Sequence, residues 1–514
     1  MLFNSTSHGG PLIALLKWLR LASRGEDPSP LMRQEPHWCE GRQVRVWSGT
    51  DAAHLVREVI GLISCDTVDA NCKILWKLRK TLIEEGLESG AVRSDMINDL
   101  EALLIKLRFL LLDDASSHYR LIVRGTSRND SLGASLSFCC LSGTVAMRTL
   151  LHGQRAVGLG EASYLKPARS MLLLSGTLRP FNLCARELGF TLFETDNEIS
   201  PTVFEKEEKS RTYEASAIKA VHLKSIENQT SLRYEDYQLL ALHVPVAAGG
   251  TELDASHRNI NDPDAPCAQR YFDALAQAIY GIALATPNGV LVFFKSYKLL
   301  EDTLNYWNTQ WRTKISTVKP LFVEERNLTG DDFDSRVRDY KIHAKSQSGA
   351  ILLAVMRGRA AEGADFKDEA ARVVAIVGLP YPPLLDTAIQ LKKDHEDRIH
   401  GSSAGNKWYA AEAWRSINQA AGRLIRHHHD FGALILLDKA LFNKNQKPPN
   451  ELMSDWYARH LETLNGATSL YTRLRDFFAH KTKSATKVVD PPRTTVLNQR
   501  PPNSSTHHGT ESLF

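Results

Sequence analysis

The sequence predicts an α/β fold built on a parallel sheet, with a mainly helical region ahead of it. Three apolar runs carry the first half of that expectation: Ile351-Leu-Leu-Ala-Val355, Val373-Val-Ala-Ile-Val377 and Ala433-Leu-Ile-Leu-Leu437. Each is followed closely by Gly, Pro, charged or turn-forming residues, and none alternates polar with apolar positions. Continuous apolar runs of this length suit strands covered on both faces by helices. The second half rests on Met96, Leu100, Leu103, Leu104, Leu107 and Leu111, whose spacing of three and four is the stripe of a packed amphipathic helix.

In chain order, residues 1–24 contain no acid and carry Lys17, Arg20 and Arg24, with Leu12, Leu15, Leu16 and Leu19 on one helical stripe. Alone, this could be a mitochondrial presequence. Residues 52–113 read as helical. Tyr119–Arg124 and Leu136–Leu141 read as strands around a polar turn at 125–133, and Met171–Leu178 is an apolar strand ending in Ser-Gly-Thr. Ile218–Leu223 is a further strand, and residues 249–267 form a polar loop expected at the surface. Gly289–Tyr297 is a buried strand ending in Lys-Ser-Tyr, followed by a helix over Leu299–Trp307. There Ser296 can cap the helix, and Lys295 with Ser296 is placed to hold a nucleic-acid phosphate. Residues from Met453 to Phe478 read as helical again. From Lys481 the composition offers little to bury and predicts a disordered tail.

Two stretches concentrate chemistry. Arg357-Gly-Arg-Ala-Ala-Glu-Gly-Ala-Asp-Phe366 offers glycines that let the backbone approach a phosphate and carboxylates, Asp365 among them, that can accept a ribose hydroxyl. In the helix-like Asn418–Arg426, Gln419, Arg423 and Arg426 fall at i, i+4 and i+7, so one helical face would present an amide and two guanidinium groups to a triphosphate. His427, His428 and His429 read as a basic turn at the helix end, with no metal site expected.

Composition excludes some classes. The 514 residues are 43% apolar, enough for two or three domains, and the net charge of +4 permits nucleic-acid binding without requiring it. Seven cysteines without C-x-x-C pairs fit reduced thiols. No run approaches the roughly 18 consecutive apolar residues of a membrane span, so no membrane partner is expected.

The Gly363-Ala-Asp-Phe366 loop, Gly378-Leu-Pro-Tyr-Pro-Pro383 and the Gln-x-x-Gly-Arg-x-x-Arg-His pattern of Gln419 to His427 resemble motifs V and VI of superfamily 2 helicases. The variant is similar to the XPD/Rad3-type DNA helicases. Trp408-Tyr409 and Asp430–Asp438, with Pro11–Trp18 and Arg45–Gly49, bring it nearest the Fanconi anaemia group J branch. The resemblance implies a RecA-like parallel-sheet helicase C-terminal domain at 181–447 carrying motifs IV, V and VI. Ahead of it would lie a helical Arch-domain remnant at 1–135 and a remnant of helicase domain 1 with motif III at 136–180; C-terminal helices at 448–480 and a disordered tail at 481–514 would follow. Met1 would then stand where the family is already mid-chain.

By the same resemblance Arg426 would be the arginine finger, Arg423 a second γ-phosphate contact and Gln419 a link between nucleotide and motor. Glu362, Gly363, Asp365 and Gly422 would line the nucleotide. Ser175 and Thr177 of motif III, Lys295 and Ser296 of motif IV, and Arg357 and Gly358 of motif V would contact nucleic acid and couple it to the motor. Met356, Ala361 and Ala364 depart from the family's usual cysteine, serine and larger aliphatic residue. Implied partners are single-stranded or forked DNA and DNA-repair proteins, in the nucleus rather than the mitochondrion. Tyr471–Phe478 faintly resembles a sliding-clamp-binding peptide, but Tyr471 replaces the expected Gln and no clamp binding is expected.

A motor of this class also needs a phosphate loop, G-x-x-x-x-G-K-[ST], and none occurs in these 514 residues. Asp368-Glu-Ala370 continues with Ala371 and is a chance echo of a Mg²⁺ motif, and the cysteines do not supply the family's iron–sulfur cluster. Two readings follow. The chain is the carboxyl-terminal portion of an ATP-dependent 5′-to-3′ DNA helicase, using ATP with Mg²⁺ only beside a complementary first motor domain and inactive alone. Otherwise it is a catalytically silent nucleic-acid- or partner-binding paralogue.

Overall fold

The computed structural model describes residues 10–23, 37–39, 42–84, 94–111, 115–124, 135–152, 154–156, 163–165, 179–193, 218–221, 238–307, 310–346, 348–427, 430–442, 451–464 and 470–485. The motif III stretch with Ser175 and Thr177, the turn at 125–133, His428, His429 and residues 486–514 lie outside them.

The amino-terminal region combines helices with an antiparallel sheet. Helix α1 (Gly10–Ser23) precedes strands β1 (His37–Cys39) and β2 (Arg42–Ser48). Helix α2 (Gly49–His54) is capped by the Ser48 hydroxyl, which accepts from the Asp51 amide at 3.1 Å, and runs into a π-helical turn. Helices α3 (Cys65–Glu84) and α4 (Ser94–Arg108) follow, then β3 (Tyr119–Arg124) and β4 (Ser135–Cys140). The strands join in the order β1-β2-β3-β4, all antiparallel, so the sheet crosses residue 135. Leu104 and Leu107 of the leucine stripe are buried with Trp18, Trp47, Leu75 and Leu121 in one core.

Helix α5 (Gly143–His152), the hairpin β5 (Gln154–Ala156) and β6 (Ser163–Leu165), helix α6 (Phe181–Leu188) and the parallel pair β7 (Phe190–Phe193) and β8 (Ile218–Val221) lead to the main sheet. That sheet takes β9 (Leu239–His243), β10 (Gly289–Phe294), β11 (Leu321–Val323), β12 (Ala350–Val355), β13 (Val373–Val377), β14 (Gly432–Leu437) and β15 (Leu461–Thr463). Their order is β11-β12-β10-β13-β14-β9-β15, and every neighbouring pair is parallel.

All residues of β10, β12, β13 and β14 are buried, which is why the sequence shows runs rather than alternation. After the four-residue helix α7 (His257–Ile260), α8 (Pro266–Ala285), α9 (Tyr297–Trp307) and α10 (Trp311–Ser316) cover one face, reinforced by Leu474, Phe477 and Phe478 of the last helix. On the other face α11 (Gly330–Ala344), the short α12 (Arg359–Glu362) and α14 (Ala404–Ala421) pack on Leu352, Ala354, Val374 and Ile376; α13 (Thr387–His400) lies alongside α14.

Three expectations need correction. Within 249–267, Leu253 and Ala255 are fully buried, α7 forms, and Ser256 and Asn259 bond to Asp254, so this loop is partly built into the core. Residues 453–478 are not continuously helical. After α15 (Asp455–Ala458), β15 pairs with β9 as an edge strand, and α16 (Leu470–Ala485) packs on α8; α16 also runs through residues 481–485, where the composition predicts a disordered tail.

Candidate functional site

Because all seven strands run the same way, the loops leaving β10, β12, β13 and β14 emerge on one rim of the sheet. The chain leaves β10 toward the α9 face but leaves β12 and β13 toward the α11 and α14 face. Loops that part in this manner leave a crevice at the carboxyl ends of the strands.

At the end of β12, Arg357 holds a left-handed backbone conformation, φ 65°, which costs energy for a residue with a side chain. Its guanidinium donates to the Glu412 carbonyl at 2.8 Å. Burial lowers its pKa from the usual arginine range, against the pull of Glu412 and Glu362. Gly358 is required by close approach: a Cβ there would meet Glu324 Oε1 at 2.6 Å. Glu324, 2% exposed, holds the turn in place. One carboxylate oxygen accepts from the Arg359 amide at 2.9 Å and the Tyr297 hydroxyl at 3.2 Å; the other accepts from the Val355 amide at 3.2 Å. This single carboxylate ties the β10 loop to the β12 loop. Sequence reasoning missed it, since one acid after a three-residue strand carries no pattern.

Lys295 and Ser296 take positions that the sequence left open. The Ser296 hydroxyl accepts from the Leu299 amide at 3.2 Å and so caps α9, which begins at Tyr297 rather than Leu299. The Lys295 ammonium donates to the Ala255 carbonyl beneath Gly378. Its burial depresses its pKa, opposed by Asp438 and Asp254, while burial of Asp438 lifts that carboxyl to about 6. Lys295 is therefore engaged inward in this conformation.

The motif VI residues do not share a helical face, which corrects the i, i+4, i+7 expectation. Helix α14 stops at Ala421, and the Arg423 and Leu424 amides bond back three residues, to Ala420 and Ala421, in a tight turn. Gly422 at the helix end, burial of Leu424 and capture of the Arg426 amide by Asp430 at 3.0 Å bend the chain away. Asp430 is itself fixed by a buried ion pair with Arg372 at 2.7 Å, and Arg372 stacks on Phe431 at 4.1 Å.

The turn nevertheless brings Arg423, Arg426, Glu362, Gly363 and Asp365 together. Arg423 donates Nε to the Ala361 carbonyl at 2.9 Å and Nη1 to the Ala364 carbonyl at 2.6 Å, with Nη2 also on Ala361, so it buckles motif V to motif VI. Arg426 Nη2 stands 3.7 Å from Asp365, and its side chain keeps 28% of its surface exposed. Slight burial raises the Asp365 pKa, but Lys367 at 3.0 Å, Arg426 and Lys341 outweigh it and hold the carboxyl below its ordinary value. Glu362, Gly363 and Gln419 are exposed, and Gly422 is half-buried.

Asp368, His427 and Asp430 place ligand atoms within 4.8 Å of one another. Asp430 is committed to Arg372 and to the Arg426 and Phe431 amides, and His427 pairs with Asp368 at 2.8 Å, so the group reads as the polar base of the turn. Phe477 and Phe478, central to the faint clamp-peptide resemblance, are buried in the core. Among the described residues no helix is long and apolar enough to cross a membrane.

Comparison with known proteins adds three kinds of likeness. Residues 279–459 match the helicase C-terminal domain family. The regulator of telomere elongation helicase 1 of Mus musculus is 32% identical over 337 residues, 63% of this chain and 24% of that protein. Its homolog in Aedes aegypti is 37% identical over 335 residues, 64% of this chain and 28% of the relative. A solved structure named XPD_Helicase aligns with a TM-score of 0.42 at 17% identity, covering 72% of this chain and 54% of that one. The chain thus spans about a quarter of the length of these curated relatives. Residues 279–459, which hold β10 to β14 of the parallel sheet, match a helicase C-terminal domain, and the chain shows homology to the regulator of telomere elongation helicases.

Proposed function

We propose that this chain supplies the second motor domain of an ATP-dependent, 5′-to-3′ DNA helicase of the XPD/Rad3 type, working in the nucleus on single-stranded or forked DNA with DNA-repair proteins. The observation that carries the reading is the partly exposed Arg426 guanidinium beside Asp365, on a turn fastened to motif V by Arg423. A bound triphosphate with Mg²⁺ would supply the transferable phosphoryl group. Arg426 carries fixed positive charge suited to the negative charge that spreads over such a group. Arg423, whose donors serve two carbonyls, acts instead by holding Glu362 to Asp365 against the motif VI turn. Motif III, with Ser175 and Thr177, completes the coupling in this reading. The group J branch and the telomere-elongation branch both remain inside it: the quoted motifs favour the first and the named relatives favour the second.

The test measures DNA-stimulated ATP hydrolysis in two settings. The 514-residue chain alone is expected to show none above background. Joined to a first motor domain that carries a phosphate loop, it should hydrolyse ATP, and Arg426→Ala should reduce the rate by about three orders of magnitude. Hydrolysis by the chain alone that is sensitive to Arg426→Ala would overturn the incomplete-motor reading. A joined protein that binds single strands but stays inactive would favour the silent binding module.

A further inference from the structure

The loop that leaves β13 carries an aromatic feature that neither the nucleotide site nor the motif contacts use. Tyr381 lies 46% exposed on the crevice rim, with Leu384 exposed beside it. Its ring stacks on Tyr409 of α14, centroids 4.9 Å apart and planes 13° from parallel. The Tyr409 hydroxyl donates to the Pro382 carbonyl at 2.6 Å, and Pro380, Pro382 and Pro383 restrict the loop backbone. The Lys393 ammonium lies 4.8 Å from the centre of the Tyr409 ring. An isolated exposed tyrosine needs no explanation. A tyrosine held flat by a second ring, a hydrogen bond and three prolines is a pre-organised π surface with a cation beside it.

We propose that Tyr381, backed by Tyr409, is a platform on which one unpaired base of a single-stranded nucleic acid stacks, with Lys393 as the cation beside it. The proposal rests on the helicase reading and deepens it by naming where a base is gripped. Stacking on aromatic rings tolerates any base, because every base has a π face, and cations beside the rings follow the backbone. The position is apt: Arg357 and Ser296 end neighbouring strands on the same rim, and Arg357 reaches Glu412, three residues beyond Tyr409 on α14.

The experiment uses the 514-residue chain and two labelled oligonucleotides of equal length, oligo-dT and a fully abasic strand, with affinity read by fluorescence anisotropy. Tyr381→Ala is expected to weaken oligo-dT binding about tenfold and leave the abasic strand unchanged. Tyr381→Trp should restore or tighten oligo-dT binding, and thermal melting of both variants should match the parent. Equal weakening on both strands, no weakening, or failure of Trp to rescue overturns the platform. If the parent binds oligo-dT and Tyr381→Ala binds it equally tightly, the platform falls and the helicase reading stands. If the parent binds no single strand, the platform falls together with the DNA half of that reading.

Discussion

The two sheets of this molecule solve burial differently. The seven-stranded parallel sheet is covered on both faces, so the polar residues of the candidate site lie beyond its strands, in loops and helix ends, near buried groups such as Glu324 and Asp430. In the four-stranded antiparallel sheet, β3 keeps Arg120 and Arg124 partly exposed within the strand itself. The two regions meet mainly through polar contacts: Lys392 donates to the Leu141 carbonyl at 2.7 Å, Arg398 to the Ser117 carbonyl at 3.2 Å, and Arg415 pairs with Glu187 of α6 at 3.1 Å, with a small apolar cluster of Leu183, Trp408 and Ala411 beside them. A polar seam of this kind holds an orientation without merging two cores.

The sharpest way to break this contrast is Arg372→Ala, which strands Asp430 in the interior. A loss of about 4 kcal/mol is expected in urea denaturation, with the motif VI turn loosening first in hydrogen exchange. A loss below about 1 kcal/mol would show that the pair does not set the turn. Next, Leu121→Ala should cost the amino-terminal region about 3 kcal/mol while leaving amide exchange in β10 and β13 unchanged. Faster exchange in those strands would show one cooperative unit instead of two.

The seam also has a pH signature. Burial, and then the positive charge of His118, Lys392, Arg398 and Arg120 around it, lowers the His395 pKa to about 3. An unfolded histidine binds its proton near pH 6.5, so as pH falls below that value the unfolded state gains a proton that the folded state refuses, and stability drops. His395→Gln should remove about 2 kcal/mol of the difference between pH 7.5 and pH 5, seen as a flatter acid limb in thermal melts. An unchanged limb would place the acid sensitivity elsewhere. The smallest effect belongs to Lys367→Ala, which deletes an exposed pair with Asp365 and should shift stability by less than about 0.5 kcal/mol.

The core strands were legible in the sequence because burial on two faces forces uninterrupted apolar runs: Val373–Val377 was bounded to the residue and Ile351–Val355 missed only Ala350. β15 was not, since Leu461-Glu-Thr463 is three residues at an edge with one side open, and it has no pattern to read. The helix end at Ala421 had a signal in Gly422, outweighed by the spacing of Gln419, Arg423 and Arg426. The partners of Arg423 are backbone carbonyls, and backbone carbonyls are invisible to any reading of residue types.

The margins of the main sheet carry a further consequence. Its outermost strands, β11 and β15, are each three residues long, whereas the six-residue strands β10, β12 and β14 stand inside. An intruding strand from a neighbouring molecule would find footing for only a bond or two at either margin, so the domain resists sheet-to-sheet growth into fibrils even where its rim loops are left uncovered.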